Sequence, residues 1–233
     1  MKSLHLQIAL LGLKFQSTAM KLQTEWLGNK VSYDDALALQ EDKLQQVLTG
    51  SATNTFYTLE HSPVYTIGRT KDKSSLLDAD QLPHPQVEIN RGGQATYHGP
   101  GQLVGYIIVD LRNLGKDLHT FIHAIESALV LTCQDFGVDA SIKDGLTGVW
   151  SGERKLASIG VGVKKWISMH GFAINITNEA LSGFNHITPC GIQDVSMTTV
   201  NDEIEAKITT REFATTVVPH IENEFSKLTK TNY

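Results

Sequence analysis

Cysteine is scarce in this chain: Cys133 and Cys190 are the only two in 233 residues. Two cysteines make no disulfide framework, which fits a reducing compartment, and each has to be explained by its own surroundings. Basic charge is also short, with 20 Lys and Arg against 25 Asp and Glu and a formal net charge of -5. That balance argues against a nucleic-acid binder, so an acidic partner has to be met by a local cluster of bases. Long apolar runs are missing too, and nothing approaches the roughly 18 residues that span a membrane. The opening "MKSLHLQIALLGLKFQSTAM" is interrupted by Lys14, no clean small-x-small cleavage site follows it, and no Arg occurs before residue 69. It reads as neither a secretion signal nor a transit peptide, but as an extension over 1–20 ahead of a domain over 21–233. There is no short-range cysteine pair and no H-E-x-x-H, and the nine histidines are scattered. No metal site is expected.

What is present is ordinary for a globular enzyme: 41% hydrophobic and 19% charged residues. Ser32 followed by "YDDALALQEDKLQQVL" predicts a capped helix with acids in its first turn. "TFYTLEHSPVYTIG" predicts two strands broken at Pro63, and "RTKDKSSLLDADQLPHPQ" a surface loop. "VEIN" and "LVGYIIVDL" flank a glycine-rich segment, "RGGQATYHGPGQLVGY". A second helix is expected over "DLHTFIHAIESALVLTCQDFG", with Leu118, Phe121, Ile122, Ile125, Leu129, Cys133 and Phe136 on one stripe and Gly137 as its stop. Cys133 thereby reads as a small buried hydrophobe. "GVW", "KLASIGVGV" and "HGFAINI" read as further strands. A last helix starts at a Thr209–Glu212 capping box, carries Phe213, Val217, Ile221, Phe225 and Leu228 on its stripe, and should kink or split at Pro219. Strands and helices do not alternate strictly, so the expected class is α+β rather than doubly wound α/β.

Two residues stand out for chemistry. Cys190, in "ITPCGI", lies between a proline and a glycine in a segment with no helical or strand period, unlike Cys133. It is either a nucleophile in a rigid loop or a buried structural thiol. Lys155 opens "KLASIGVGV" and, on a strand, shares a face with Ala157, Ile159, Val161 and Val163. Held on that apolar face it loses the hydration its charged form needs, which poises it for proton transfer. Reaching past the strand end to water, it is an ordinary surface lysine. The glycine-rich segment lacks the ending of a nucleotide-phosphate loop and does not fit the dinucleotide fingerprint. It reads as wall material, with Arg91, Thr96, Tyr97 and His98 as the polar groups of an otherwise apolar pocket, or as a plain hairpin.

Together with "LGNKVSYDDALALQ", "EHSPVYTIGR", "TGVW", "KLASIGV", "HGFAINI" and "ITPCGI", the segment closely resembles the octanoyl-[acyl-carrier-protein]-protein N-octanoyltransferases, also called lipoate-protein ligase B. The match runs in order from about residue 26 to about residue 200. The resemblance implies a central mixed sheet flanked by helices, similar to the catalytic domains of biotin and lipoate ligases. It implies octanoyl transfer from acyl carrier protein to a lysine of a lipoyl domain or of the glycine-cleavage H protein. Cys190 would carry an acyl-thioester, Lys155 would tune it, and no cofactor would be needed. Substrate-binding stretches map onto Arg91, Gly92, Gly93, Gln94, Ala95, Thr96, Tyr97 and His98, onto Ser158, Ile159 and Gly160, and onto Gly171, Phe172 and Ala173. Arg69, Lys71 and Lys73, or Lys164 and Lys165, are the bases available to an acidic carrier. The walls expected for the acyl chain are the strands of Tyr106, Ile159 and Phe172; burying about seven apolar carbons at about 0.8 kcal/mol each offers roughly 5 to 6 kcal/mol. A cytoplasmic monomer that binds no nucleic acid and no membrane completes the expectation. The competing readings are an ATP-dependent ligase, which has no need of Cys190, a carrier-binding module without chemistry, and a thioesterase.

Overall fold

The computed structural model describes residues 20–68, 76, 82–89, 91–188 and 195–230. The chain enters through β1 (Gln23–Val31), helix α1 (Tyr33–Thr49), β2 (Thr55–His61) and β3 (Val64–Ile67). It continues through β4 (Gln86–Glu88), β5 (Thr96–His98), β6 (Gln102–Ile108) and helix α2 (Leu118–Asp135). Then come β7 (Ser141–Lys143), β8 (Leu146–Ser151), β9 (Arg154–Lys164), β10 (Ile167–Asn175) and helix α3 (Thr210–Lys230). Seven strands form one mixed sheet in the order β1-β2-β6-β10-β9-β8-β7, and β4-β3-β5 form a small second sheet. In the large sheet β1 and β2 run parallel, joined through α1, while the other neighbours are antiparallel. This is the α+β arrangement expected. Among the described residues no helix is long and apolar enough to cross a membrane.

Alternation along the strands sorts side chains between two layers. On β6, Leu103 and Ile107 join the core under α2 and α3, while Val104, Tyr106 and Ile108 face α1. The α2–α3 contact is aromatic, with Phe121 and Phe225 ring centroids 5.0 Å apart and Phe136 and Phe213 stacked at 5.7 Å. On the other face Tyr33, Val64 and Ile89 connect α1 to the small sheet. Thus β6 and β10 are covered on both sides at mid-sheet.

The local signals act as the sequence suggests. Ser32 accepts from the Asp35 amide and Gly50 closes α1 in the left-handed conformation. Thr209 Oγ1 accepts from the Glu212 amide while the Glu212 carboxylate accepts from the Thr209 amide, a reciprocal capping box. Pro63 parts β2 from β3, and the two strands join different sheets. Two expectations need correction. Helix α3 is not split at Pro219, because Phe213, Val217, Ile221 and Phe225 bury both halves in one core and outweigh the single backbone bond that proline removes. Leu118, expected on the buried stripe of α2, stands 36% exposed, since the helix begins there, beyond the reach of the core. Strands β1, β5 and β7 have no clear signal: β1 is largely exposed, and β5 and β7 are three residues each.

Candidate active site

A pocket lies on the α1 side of the large sheet, between β6, β9 and β10 below and the segment 91–98 above. Of the residues that the sequence assigns to a substrate wall, Arg91, Gly92, Gly93, Gln94, Ala95, Thr96, His98, Ser158, Ile159, Gly160, Gly171, Phe172 and Ala173 all line it. Tyr97 does not. It sits between Thr96 and His98 in β5, so its side chain points the other way, into a cluster with Tyr65 and Phe184 at 5.4 and 5.9 Å. It backs the wall instead of forming it. The pocket also takes Tyr33, Ile89, Val104, Tyr106 and His170. Of these, the sequence singles out Tyr106 alone as a wall; Tyr33 and His170 lie inside quoted motifs, but a single aromatic or histidine carries no period to mark it.

Most polar groups around this pocket satisfy one another's hydrogen bonds. Val31 O can only accept, so the Nδ1 of His61 carries a proton and donates to it at 2.9 Å. The Nε2 of His61 then accepts from the Tyr106 hydroxyl at 2.6 Å. In the same way Gln102 Nε2 donates to Tyr97 O and Asn175 Oδ1, which leaves its Oε1 to accept from His98 Nδ1 at 2.7 Å. The Nε2 of His98 faces the Thr66 hydroxyl at a long 3.5 Å. Burial lowers the pKa of His98 to about 3 and those of His61 and His170 to about 4. All three imidazoles are therefore neutral at pH 7. The Tyr33 hydroxyl has no hydrogen-bond partner among the described residues.

Arg91 builds the roof. Its guanidinium donates to Thr66 O and Thr66 Oγ1 at 3.0 and 2.9 Å and to Gly92 O at 2.8 Å. It is 8% exposed, so these bonds replace water around a buried cation. The stem of Arg91 crosses β9 at Gly160, where a Cβ would stand 2.8 Å from its Cδ. Any larger residue at 160 pushes the arginine away. The neutral histidines are consistent with this placement, because the Arg91 charge opposes protonation of both His98 and His170.

Behind the shared wall of Arg91, Gly92, Gly93, Ile159 and Gly160 lies a second, larger cleft that contains Lys155. Ile159, Val161 and Val163 line it with the lysine, the face that strand alternation suggests. Lys155 is 2% exposed, so it does not reach past the strand end to water. Its Nζ lies 5.2 Å from the Trp150 ring centroid. Its stem passes over Gly148, where a Cβ would come within 2.7 Å of Lys155 Cε and 2.5 Å of Ala157 O. Its backbone is held on two sides, by β8 through Trp150 and by the segment after residue 194. Lys155 N donates to Ser196 O at 2.9 Å, and Thr198 N donates to Lys155 O at 3.0 Å. Cys190, like Arg69, Lys71 and Lys73, lies outside the described residues. Cys133 is fully buried in the core and its thiol is pushed up to about 12 by burial, which leaves it inert as a nucleophile.

Comparison with known proteins gives three kinds of likeness. Residues 32–222 match the family described as the lipoyl protein ligase A/B catalytic domain. The octanoyltransferase of Geobacter sulfurreducens is 48% identical over 182 residues, 78% of this chain and 76% of that protein. Among solved structures, lipoate-protein ligase A bound with ATP superposes with a TM-score of 0.67 at 15% identity, over 91% of this chain and 94% of the other. The bipartite lipoate protein ligase of Thermoplasma acidophilum, studied with its E2 lipoyl domain, superposes with a TM-score of 0.62 at 16% identity, over 89% of this chain and 84% of the other. At such identities the structural likeness establishes the fold.

Proposed function

The chain belongs to the lipoyl protein ligase A/B catalytic-domain family, alongside its octanoyltransferases, and from that premise we propose how its residues divide the reaction. It is an acyltransferase of protein lipoylation, in a family that acts on lipoyl domains. The octanoyl donor is the phosphopantetheine thioester of acyl carrier protein. The acceptor is a lysine amine of a lipoyl domain or of the glycine-cleavage H protein. The enzyme works as a monomer in the cytoplasm, without ATP, metal or cofactor.

The observation that carries this reading is the position of Lys155. A buried amine opens on a cleft that shares its wall with a largely apolar pocket. The acyl chain fills the pocket against Ile159, Phe172 and Tyr106. Cys190 attacks the thioester carbonyl; Lys155 takes the thiol proton and gives it to the departing pantetheine thiol. In the second step the acceptor lysine, as its neutral amine, attacks the acyl-cysteine carbonyl; Lys155 takes the proton from the attacking nitrogen and gives it to the departing Cys190 sulfur. The tie between Lys155 and Ser196 supports the pairing with Cys190, since it brings the chain that follows "ITPCGI" to the lysine.

The test uses octanoyl-carrier protein without ATP, with intact masses of the enzyme and of an added apo lipoyl domain. The proposal expects an octanoyl adduct on the enzyme, its loss in Cys190→Ala, and passage of the group to the domain lysine. An absolute requirement for ATP overturns it.

A further inference from the structure

We infer that the carrier protein docks on a lysine-ringed apolar patch at the outer mouth of the Lys155 cleft, made by the β9–β10 turn and the first turn of α2. This rests on the functional reading above and adds the surface that receives the donor.

Among the described residues the exposed large apolar side chains are Leu118, Val163 and Trp166, and all three meet in one shallow hollow. Apolar side chains that gather at one exposed spot mark a contact surface more often than scattered ones do. Lys116 and Lys165 line the same hollow, and Lys164 follows Val163 on the strand. None of the three lysines forms an ion pair among the described residues. The hollow's acidic residue, Asp117, is engaged in capping α2, accepting from the His119 and Thr120 amides and the Thr120 hydroxyl. Lys164 also borders a groove that carries Glu41, Asp42 and Glu88, so the basic surface ends on that side.

The turn that presents the patch is strained. Lys165 and Trp166 both occupy the left-handed region, at φ 52° and 66°, in a two-residue connection that ordinarily takes Asn-Gly. A tryptophan there is an outlier, and its ring faces solvent instead of repaying the strain in the core. Such strain gathers at functional positions.

The patch is continuous with the chemistry. Leu118 and Val163 line both the hollow and the cleft that contains Lys155. A partner seated on the hollow can pass a flexible arm along Val163 and Ile159 to the lysine. Charge complementarity selects an acidic partner with an apolar spot at its centre, on a chain whose net charge of -5 would otherwise repel it. Between the two protein substrates, the one whose reacting group travels on a long arm fits a seat set back from the lysine.

The test is single-turnover acylation of the Lys116→Glu/Lys164→Glu/Lys165→Glu triple variant and of Trp166→Gly, a substitution that suits the turn and spares the fold. Each receives octanoyl-carrier protein or octanoyl-pantetheine, a small thioester with no protein attached. The half-saturating carrier concentration should rise at least about tenfold in the triple variant and about fivefold in Trp166→Gly, with octanoyl-pantetheine rates within about twofold of wild type. Unchanged half-saturation with the carrier overturns the assignment. So does equal slowing with both donors, or a shift in half-saturation for the apo lipoyl domain instead. A wild-type enzyme that neither donor acylates refutes the functional reading; titration of carrier protein into wild type and triple variant, followed by NMR, then decides the docking claim alone.

Discussion

The two cavities on either side of the Arg91–Gly93 wall are built on opposite principles. The first pocket is lined by groups whose hydrogen bonds are mostly made inside the protein: Arg91 with Thr66 and Gly92, His98 with Gln102, Tyr106 with His61. The lysine cleft holds the Lys155 amine among glycines and aliphatic side chains, with Thr147 and the shared Arg91. On the function proposed above, the difference separates recognition from chemistry: the interlocked pocket takes the alkyl chain, and the cleft supplies the proton acceptor. Changes in the cleft should therefore slow the chemical step, and changes in the pocket should weaken binding or the fold.

The largest effect is expected for Lys155→Ala. Acylation should slow by about 10²–10⁴-fold, the range for removing a general acid-base group, with little change in half-saturation; a weakened half-saturation at full rate would place the lysine in binding. Gly148→Ala should come next. The new Cβ meets Lys155 Cε and Ala157 O inside contact distance, and displacement of a catalytic group by about 1 Å can cost about 10²-fold. An unaltered rate in a folded Gly148→Ala protein would show that the lysine needs no such placement.

On the pocket side, Thr66→Val keeps the shape and removes the hydroxyl between Arg91 and His98. It should cost about 1–3 kcal/mol of stability, the range for leaving a buried polar partner unsatisfied, and raise half-saturation severalfold while the maximal rate holds. Chemical denaturation and the same kinetics check both halves. The broadest effect is on pH. The folded pKa values of His61, His98 and His170 lie near 4, 3 and 4, below the unfolded value of about 6.5. The unfolded chain therefore binds more protons, and the stability these groups hold above pH 6.5 is lost as pH falls toward 4 and then 3. Unfolding free energy should decline from pH 7 to 5, less steeply in His98→Gln; equal slopes would mean that His98 is not buried as neutral imidazole.

Much of this was legible in the sequence, for physical reasons that vary by element. Caps and stripes mark the helices because their chemistry is local: Ser32 and the Thr209–Glu212 box need only their own helix to act. Lys155 could be singled out because strand alternation alone puts it on the face of Ile159, Val161 and Val163. The pocket's other residues were harder. Tyr33 comes from α1, Ile89 follows β4 and His170 lies in β10, so only the tertiary fold brings them together. Tyr97 was grouped with its neighbours by sequence, but β alternation turns it away. The Leu118, Val163 and Trp166 patch has no linear signature either, since Leu118 looks like one more member of a buried stripe until the start of α2 leaves it exposed.

The division of labour between the two cavities can be measured most directly by single-turnover acylation of wild type, Lys155→Ala and Thr66→Val, followed by intact mass across a range of octanoyl-donor concentrations. The account predicts that Lys155→Ala loses maximal rate at nearly unchanged half-saturation and that Thr66→Val does the reverse. Loss of maximal rate in Thr66→Val to the same extent as in Lys155→Ala, with the fold intact, would contradict it.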